Sequence, residues 1–442
     1  MHPRRRAPAI VAAMVAAAGF GASSAVALPT KTDDPQPGGV LPRAIPAAGT
    51  FYPTSVARLL GTNDAGYAVE PGAGATVAVA GRAGLPRSGI SAVVVNVTVV
   101  AGPSDAGLSF GPVGTPAAPP LLFAPAGTTR SALLTLPLGS GDSLAVTTTA
   151  SAAVAADVVG FYAADDTVLG SHGVSGGYQP VDVARVFDSD TAQPLAAGGR
   201  QVLAVDLGTA ATPHTTALLV RATVKGAQAP GTLTVGSGVA AAPFVPFVAA
   251  APASNLAVVA ASADADGRLD VALTNTSTGT AAVAVDLVGF YDDGALGPNL
   301  RFRPLPQTRV VDPSSGLGTG ALQPGRRTTL TPSESVVGES TFGLVGVATT
   351  TPAGGPAAVS VDSADATPTA DVEVPVGATS VPVQTEVSAA RGMALLSRAG
   401  SAPTGVTVDV TGSFEAYPPV TNPAARGWVA PVSGWQVSAT AR

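Results

Sequence analysis

The stretch DVVGFY at residues 157–162 recurs twice further along the chain. DLVGFY occupies residues 286–291 and DVTGSF occupies residues 409–414, so successive copies start 129 and 123 residues apart. Intervals of this length are typical of whole domains and are too long for the turns of a solenoid. The repeated phrase therefore indicates that one domain-sized unit occurs three times.

Two further landmarks recur in register and place each hexapeptide at the end of a longer unit. Each unit opens on an arginine, in VARLLGT at 56–62, VARVFDS at 183–189 and QTRVVDP at 307–313. From that arginine to the aspartate of the hexapeptide there are 99, 101 and 100 residues. The segments AVVVNVTVV, ALLVRATVK and FGLVGVATT are centred 38, 36 and 37 residues after the arginine. This agreement predicts a common fold for the three units.

Within each unit, short apolar and β-branched runs are separated by clusters of Gly, Pro, Asp and Ser, and no window has the pattern of a capped amphipathic helix. Such spacing favours a β-sandwich or barrel. We therefore predict an all-β protein with three tandem β-sandwich-like units of about 120 residues each. The predicted segments are a signal peptide at 1–27, a Pro-rich mobile lead at 28–45, β repeats at 46–165, 178–293 and 300–418, and a C-terminal tail at 419–442.

The hexapeptide is predicted to be a closing strand, whose alternate residues point to opposite faces. Val158, Gly160 and Tyr162 share a face that stays apolar in every copy, so we expect that face to contact the core. The opposite face is apolar in two copies and polar in the third, which predicts partial burial. A glycine on the core face indicates close approach by a ring or another backbone segment.

An aspartate in such a strand needs a partner. The first and last strands of a compact domain often pair, so the opening arginine is the natural candidate. We predict a structural clasp in each unit, worth about 0–1 kcal/mol if exposed and more costly to break if buried. The alternative is that each pair lines a ligand site. The predicted pairs are Arg58 with Asp157, Arg185 with Asp286, and Arg309 with Asp409.

The N-terminal segment has the order of a secretory signal peptide. Three arginines precede an apolar stretch at 7–22, and Ala25-Val26-Ala27 offers a small-residue cleavage site. The apolar run is short for a bilayer-spanning helix, so we expect no membrane span after cleavage. An uncleaved N-terminal anchor is the alternative.

Composition narrows the range of partners. Removing residues 1–27 takes away three arginines and no acidic residue, which leaves 20 basic and 29 acidic side chains and a net charge of −9. An acidic chain without a basic stripe is not expected to bind nucleic acid. The sequence has no cysteine, so disulfides, thiolate metal sites and cysteine nucleophiles are excluded and each unit must fold on its apolar core.

The landmarks together resemble a repeat module common in secreted actinobacterial proteins. That module opens on an Arg-Leu-Leu-Asp-Thr-Arg-like phrase, continues through a Val-Val-Leu-Asn-Val-Thr-like strand and closes on Asp-Val-x-Gly-Tyr-Phe. The matches are ARLLGT, VVVNVTV and DVVGFY, then ARVFDS and DLVGFY, then TRVVDP and DVTGSF, and they cover most of residues 50–418. The family occurs in tandem and has no agreed activity, so the resemblance implies a secreted β-rich array and no particular reaction.

The chain departs from the module in three ways, the first being that the second arginine of the opening phrase is missing in every copy. Gly61 stands where the later copies have Asp188 and Asp312. The asparagine of the middle strand, Asn96, aligns with Arg221 and Gly346 in the later copies. Packing roles are expected to survive these changes, whereas any activity that needed those side chains is in doubt.

A cluster of carboxylates in unit 2 raises the possibility of calcium binding. Asp264, Asp266 and Asp270 spell D-x-D-G-x-x-D with Gly267, and such clusters can hold calcium. The spacing falls short of a full EF-hand loop, and the corresponding stretches GSGDSL and AARGMA read as hairpin turns that contain glycine. The sequence therefore favours a turn, with calcium as the alternative, and predicts neither a cofactor nor a catalytic residue.

Both tryptophans of the chain lie in the tail. Trp428 and Trp435 each follow a glycine in a segment of small residues. One interpretation is that they dock onto the third unit, and the other is that they contact a wall polymer or another protein.

Elimination and resemblance together favour a secreted, non-enzymatic protein with a binding or structural role at the cell envelope or outside the cell. Its partner would be a cell-wall polymer or another extracellular protein. The alternative is a secreted hydrolase with its site at an interface between units. A cleft that gathers Asp or Glu from two units would favour the enzyme, and a flat repeated surface would favour the array. The short joints also permit closure around a pseudo-threefold axis.

Overall fold

The structure is a computed structural model that describes residues 47–61, 66–115, 118–139, 141–170, 172–237, 240–352, 357–365, 372–374, 379–397, 403–418 and 437–441. The predicted signal peptide and Pro-rich lead lie outside these residues. Ile45–Arg442 form one compact unit by their contacts. Among the described residues, helical structure is confined to two single 3-10 turns, Asp166–Val168 and Thr212–His214, and none of it is long and apolar enough to cross a membrane.

Strands account for most of the described chain, and we group them into three units. Unit 1 contains β1 (Phe51–Leu60), β2 (Tyr67–Val69), β3 (Ala75–Ala78), β4 (Ile90–Ala101), β5 (Ala106–Pro112), β6 (Leu122–Ala124), β7 (Thr129–Pro137), β8 (Ser143–Thr148) and β9 (Ala152–Ala163). Unit 2 contains β10 (Tyr178–Asp188), β11 (Arg200–Asp206), β12 (Thr215–Ala227), β13 (Gly231–Ser237), β14 (Ala240–Phe247), β15 (Ala253–Ala260), β16 (Leu269–Asn275) and β17 (Ala281–Asp292). Unit 3 contains β18 (Asn299–Val311), β19 (Arg327–Leu330), β20 (Thr341–Pro352), β21 (Ala357–Ser363), β22 (Val372–Val374), β23 (Thr379–Glu386), β24 (Met393–Ser397) and β25 (Thr404–Tyr417), and β26 (Ser438–Ala441) follows it.

Each unit is a two-sheet sandwich with the same strand order. The first sheets run β1-β9-β4-β7, β10-β17-β12-β15 and β18-β25-β20-β23. The second sheets run β3-β8-β5-β6, β11-β16-β13-β14 and β19-β24-β21-β22. When the eight main strands of a unit are numbered in chain order, the sheets are 1-8-3-6 and 2-7-4-5, which is the jelly-roll arrangement of antiparallel strands. The predicted all-β, sandwich-like fold class is confirmed.

The three units close around a pseudo-threefold axis at the beginning of their first strands. Each contact joins backbone groups of two different units, and together the contacts form a ring. The bonds are Phe51 N to Gly176 O and Phe302 N to Gly49 O, both 2.9 Å, and β10 pairs with β18 at Tyr178 and Leu300. The pairing of β10 with β18 also merges the first sheets of units 2 and 3 into one eight-stranded sheet. The three units therefore adopt the closed arrangement that the short joints permit.

Six buried aromatic side chains fill the centre of this ring. Each unit supplies one ring from the start of its first strand and one from its closing strand. The first ring of each unit packs against the closing ring of another unit, with centroid distances of 4.2 Å for Phe51–Tyr291, 4.2 Å for Tyr162–Phe302 and 4.7 Å for Tyr178–Phe414. The Tyr162 and Tyr291 hydroxyls lie 2.7 Å apart. Burial raises the pKa of both phenols, so they stay neutral. We call these six side chains the aromatic centre.

A β-bulge in the closing strand corrects the predicted faces. In unit 1 the register passes from Val95 opposite Val158 to Val94 opposite Gly160, which leaves Val159 as the extra residue. A bulge reverses the alternation of side chains, so Val158 packs into the core of unit 1 while Tyr162 packs into the aromatic centre. The prediction that these two side chains share a face is therefore wrong. The face expected to be partly covered is fully buried, with Val159 at 2% and Phe161 at 0% exposure.

The glycine of each hexapeptide makes room for an aromatic ring, as predicted. A Cβ on Gly160, Gly289 or Gly412 would lie closer to the first ring of its own unit than real Cβ atoms approach a neighbour. The rings are those of Phe51, Tyr178 and Phe302. The repeated glycine is thus required by the geometry of the aromatic centre.

Candidate functional site

The structure brings the predicted clasp residues together in all three units. Each arginine stands directly opposite its aspartate in the pairing of the first and closing strands. The distances are 2.6 Å for Arg58 Nε–Asp157 Oδ1, 2.5 Å for Arg185 Nε–Asp286 Oδ1 and 2.9 Å for Arg309 Nη2–Asp409 Oδ2. The aspartate side chains are only 8%, 5% and 3% exposed, whereas the arginines are 29%, 43% and 29% exposed. Because the pairs lie within single units, they act as structural bonds between strands.

A second carboxylate holds the clasp arginine in units 2 and 3. Asp188 contacts Arg185 at 2.5 Å, and Asp312 contacts Arg309 at 3.4 Å. Burial disfavours the charge of Arg185, but its bonds to Asp286 and Asp188 outweigh that effect and raise its pKa. Gly61 stands at the corresponding place in unit 1 and has no carboxylate, and the clasp of Arg58 with Asp157 is kept there.

The middle strands differ at the position opposite the clasp aspartate. Asn96 stands opposite Asp157 and Arg221 opposite Asp286, but Val347, and not Gly346, stands opposite the third aspartate. Counting residues predicts Gly346 at this position, and that alignment is wrong by one residue. Asn96 Oδ1 accepts a hydrogen bond of 3.0 Å from Asn255 Nδ2 of unit 2. This asparagine therefore helps to join two units.

Two clefts lie at equivalent places between units. The first, between units 2 and 3, has a volume of about 420 Å³, and we call it the acidic cleft; its lining includes Asp182, Arg221, Asp362, Gln384 and Glu386 beside Val181, Val288 and Val361. The second, between units 3 and 1, has a volume of about 620 Å³, and we call it the proline cleft; its lining includes Pro112, Pro119, Pro137, Pro304 and Pro306 beside Leu121, Leu136 and Leu305. Both volumes are in the range of small-molecule sites.

Strand register matches the two clefts position by position. The three carboxylates of the acidic cleft occupy positions that are apolar or glycine in the proline cleft. Asp182 corresponds to Pro306, Asp362 to Gly111 and Glu386 to Pro137. The same interface thus closes without any charge at these positions.

Glu386 is the carboxylate of this cleft that the protein desolvates most clearly. Its partial burial, followed by the negative charges of Asp182 and Asp365, raises its pKa to about 7. Among the described residues no lysine, arginine or histidine lies within ion-pair distance of the Glu386 carboxylate. The proton of Glu386 is therefore lost near neutral pH.

The raised pKa makes a prediction for stability. The folded protein holds the Glu386 proton up to about pH 7, whereas the unfolded chain releases it near its ordinary pKa of about 4.3. The stabilisation is therefore present below about pH 4 and is lost as the pH rises through about 7. We expect Glu386→Gln to raise the free energy of unfolding by about 1–3 kcal/mol at pH 8 and to change it little at pH 4.

Denaturant unfolding at both pH values measures this difference. Glu70→Gln in unit 1 makes the same chemical change at an exposed position and should have little effect at either pH. Equal effects of the Glu386 change at pH 4 and pH 8 would contradict the prediction.

The carboxylate cluster of unit 2 forms the predicted turn. Asp264 Oδ1 accepts hydrogen bonds from the backbone nitrogens of Asp266 at 2.9 Å and Arg268 at 2.8 Å, and Gly267 has a φ of +75°. The Asp264 carboxylate thus serves the turn itself. Asp270 continues into β16. Within the described residues, no group of three or more His, Cys, Asp or Glu side chains could hold a metal, so the calcium alternative gains no support.

The tail meets unit 2. Trp428 and Trp435 lie outside the described residues, so both interpretations of them stay open. β26, at the end of the tail, pairs with β11 from Leu203–Ala441 to Asp206–Ser438. This strand extends the second sheet of unit 2 at its edge, and it does not pair with unit 3.

Sequence reasoning did not single out Asp182, Asp362 or Glu386. The three residues are separated by up to about 200 positions and lie in no recognisable motif. These residues stand out only when the three units are compared, because acidic residues then replace proline and glycine at matched positions. That comparison requires the strand register of the structure.

The comparisons with known proteins identify no family for this chain. No family model matches it, and no curated protein matches it. One similar solved structure is a chain from the atomic structure of Sulfolobus Turreted Icosahedral Virus, with 9% identity and a TM-score of 0.16, covering 83% of this chain and 91% of the viral one. Another, from work on the triple jelly roll fold and turret assembly in an archaeal virus, has 9% identity and a TM-score of 0.16, covering 83% and 90% of the two chains. At that TM-score neither similarity carries an argument about this protein.

Proposed function

We propose that this protein is a secreted, non-enzymatic binding protein of the cell envelope or extracellular space, and that it binds its partner through the clefts between its units. The observation that supports this proposal most directly is the pair of equivalent clefts with different linings. A body that needed only to be rigid would gain nothing from partly burying the Glu386 carboxylate at a position where proline suffices. The resemblance of the repeat to a secreted actinobacterial module is consistent with the proposed location.

Retention on purified cell wall from the producing organism tests this proposal. Residues 28–442 should sediment with the wall, and the double variant Asp182→Asn, Glu386→Gln should be retained several-fold less. Truncation after residue 418 separates the clefts from the tail that carries Trp428 and Trp435. Loss of retention only in the truncated protein would place the binding in the tail, and no retention of the full mature chain would contradict envelope binding.

The acidic cleft also favours a second candidate, the secreted hydrolase. It gathers Asp182 from unit 2 and Glu386 from unit 3. A carboxyl with a pKa near 7 can protonate a leaving oxygen while a second carboxylate takes a proton from the attacking water. We rank this candidate second because Asp182 is exposed, while binding requires only the charge of the cleft.

An assay for new reducing ends on wall polysaccharide distinguishes the two candidates. Turnover by the wild-type protein that is abolished in both Asp182→Asn and Glu386→Gln would establish the hydrolase. Binding without turnover would favour the first proposal.

A further inference from the structure

We propose that a small hollow between the three units binds a single monatomic anion such as chloride. The hollow lies where the equivalent strands β7, β15 and β23 contact one another, and we call it the three-strand hollow. It shares no lining residue with the acidic cleft or the proline cleft, so this inference does not depend on the proposed binding function. Its polar lining consists of Arg130 and Ser131 from unit 1, Ser254 from unit 2, and Thr379 and Ser380 from unit 3.

Arg130 brings a positive charge to the hollow that no carboxylate of the described residues balances. Its Nη1 donates to the Thr129 carbonyl oxygen at 3.2 Å, but its Nε is buried and makes no hydrogen bond. Burial lowers the pKa of Arg130, whereas carboxylate partners raise the pKa of Arg185 and Arg309. The guanidinium group stays charged at neutral pH all the same. A partly buried charge of this kind is costly unless a counter-charge accompanies it.

The charge is particular to unit 1. Strand register places Ala253 of unit 2 and Thr379 of unit 3 at the positions equivalent to Arg130. Both of these residues are neutral and small, so the same contact between strands forms twice without a cation.

Hydroxyl groups from all three units supply further donors. A serine at the hollow pairs with a threonine of the neighbouring strand in each unit, at 2.7 Å for Thr98–Ser131, 3.0 Å for Thr223–Ser254 and 2.9 Å for Thr349–Ser380. Each pair has two hydroxyl protons and uses one of them between its two oxygens, which leaves the other to be donated elsewhere. Thr379 is an independent sign of a missing partner, because it is 7% exposed and its Oγ1 makes no hydrogen bond. An anion can accept from the hydroxyl and guanidinium donors together.

The size of the hollow restricts the ligand to one atom. Its volume is about 20 Å³, which is enough for one particle of about the size of a water molecule. Phosphate, sulfate and organic carboxylates are too large for this space. A water molecule would fit and would accept hydrogen bonds, but it would leave the charge of Arg130 uncompensated. Because the donors belong to three units, a bound anion would stabilise the closed arrangement of the folded protein.

Thermal unfolding of the mature protein in 10 and 300 mM sodium chloride tests the inference, with sodium gluconate added to keep the ionic strength constant. We expect chloride to raise the Tm of the wild type by about 1–3 °C. Arg130→Met keeps the stem of the side chain and removes its charge, so its Tm should not respond. Arg82→Met removes an exposed arginine of the same unit and should keep the full response. General effects of the two salts on the protein surface cancel in this comparison of variants.

The line width of the chlorine-35 NMR signal measures binding directly. The wild type should broaden the signal beyond the level seen with Arg130→Met. Thr379→Val keeps the shape of the side chain and removes its hydroxyl group. It should weaken chloride binding about tenfold, because a hydrogen bond to a charged group is lost. This variant tests the site even if Arg130→Met fails to fold.

The inference is overturned if the Tm of the wild type and of Arg130→Met respond equally to chloride, if the wild type gives no excess line width, or if Thr379→Val binds chloride as tightly as the wild type does. These results are separable from failure of the proposed function. Wall retention that persists in Arg130→Met is expected, because the three-strand hollow lies outside both clefts.

Discussion

Gly412→Ala is expected to destabilise the protein by about 3 kcal/mol or more, because the aromatic centre has no room for a methyl group. The new Cβ would overlap Phe302 Cε2 and Cζ and would lie 3.1 Å from Arg303 O. The ring cannot easily move away, since it also stacks on Tyr162 at 4.2 Å. Guanidinium unfolding followed by circular dichroism measures the effect.

Gly405→Ala provides a matched control in the same strand. Its Cβ would meet nothing closer than 3.6 Å, so we expect a change within about 0.5–1 kcal/mol. Combining Gly412→Ala with Phe302→Leu should cost less than the sum of the single changes, because the smaller side chain makes room for the methyl group. Equal effects of the two glycine changes would show that the aromatic centre does not impose the glycine.

Arg309→Met is expected to cost about 2–4 kcal/mol, more than Asp409→Asn at the other end of the same clasp. The arginine is 29% exposed and can be solvated when its partner is lost, but the aspartate is 3% exposed and cannot. Removing the arginine therefore leaves the buried Asp409 carboxylate without a counter-charge. Asp312 also loses its ion pair with Arg309. Asparagine keeps an acceptor facing Arg309, so its cost should be about 1 kcal/mol.

The decisive measurement is the difference in the free energy of unfolding between Arg309→Met and Asp409→Asn. Arg326→Met removes an exposed arginine of the same unit and should change the free energy of unfolding by less than about 0.5 kcal/mol. If Asp409→Asn proves the more costly end of the clasp, then the asymmetry of burial does not determine its energetics.

The repeated landmarks were sufficient to predict sandwich-like β units, but not the order of the strands within a unit. A register of three phrases predicts which strands open and close a unit, and the strand pairing of Arg58 with Asp157 agrees with it. Counting residues failed where the chain departs from regular alternation. The bulge at Val159 directs Tyr162 away from the core of its own unit and into the aromatic centre. A sequence pattern of period two shows neither where this bulge lies nor that Val347, rather than Gly346, stands opposite Asp409.

The acidic cleft could not be predicted for a different reason. Asp182 and Glu386 are 204 positions apart, and they share one cleft only because the units close into a ring. Sequence periodicity indicates which residues share a face of a strand or hairpin. It carries no information about how one domain docks on another. The alternative that placed a site between units named no residues, and it stays a prediction.

The aromatic centre has a consequence for how the chain folds. Phe51 packs against Tyr291, which is 240 residues away, so the earliest unit cannot cover its own rings until later units are in place. Contacts at such separation slow folding, since a long loop must close before they form. A chain interrupted before β25 would lack Phe414 and present an apolar hollow to solvent, which is a condition that recruits chaperones or leads to aggregation. Completion of the last strand is therefore expected to be the step that commits the entire molecule to its native state.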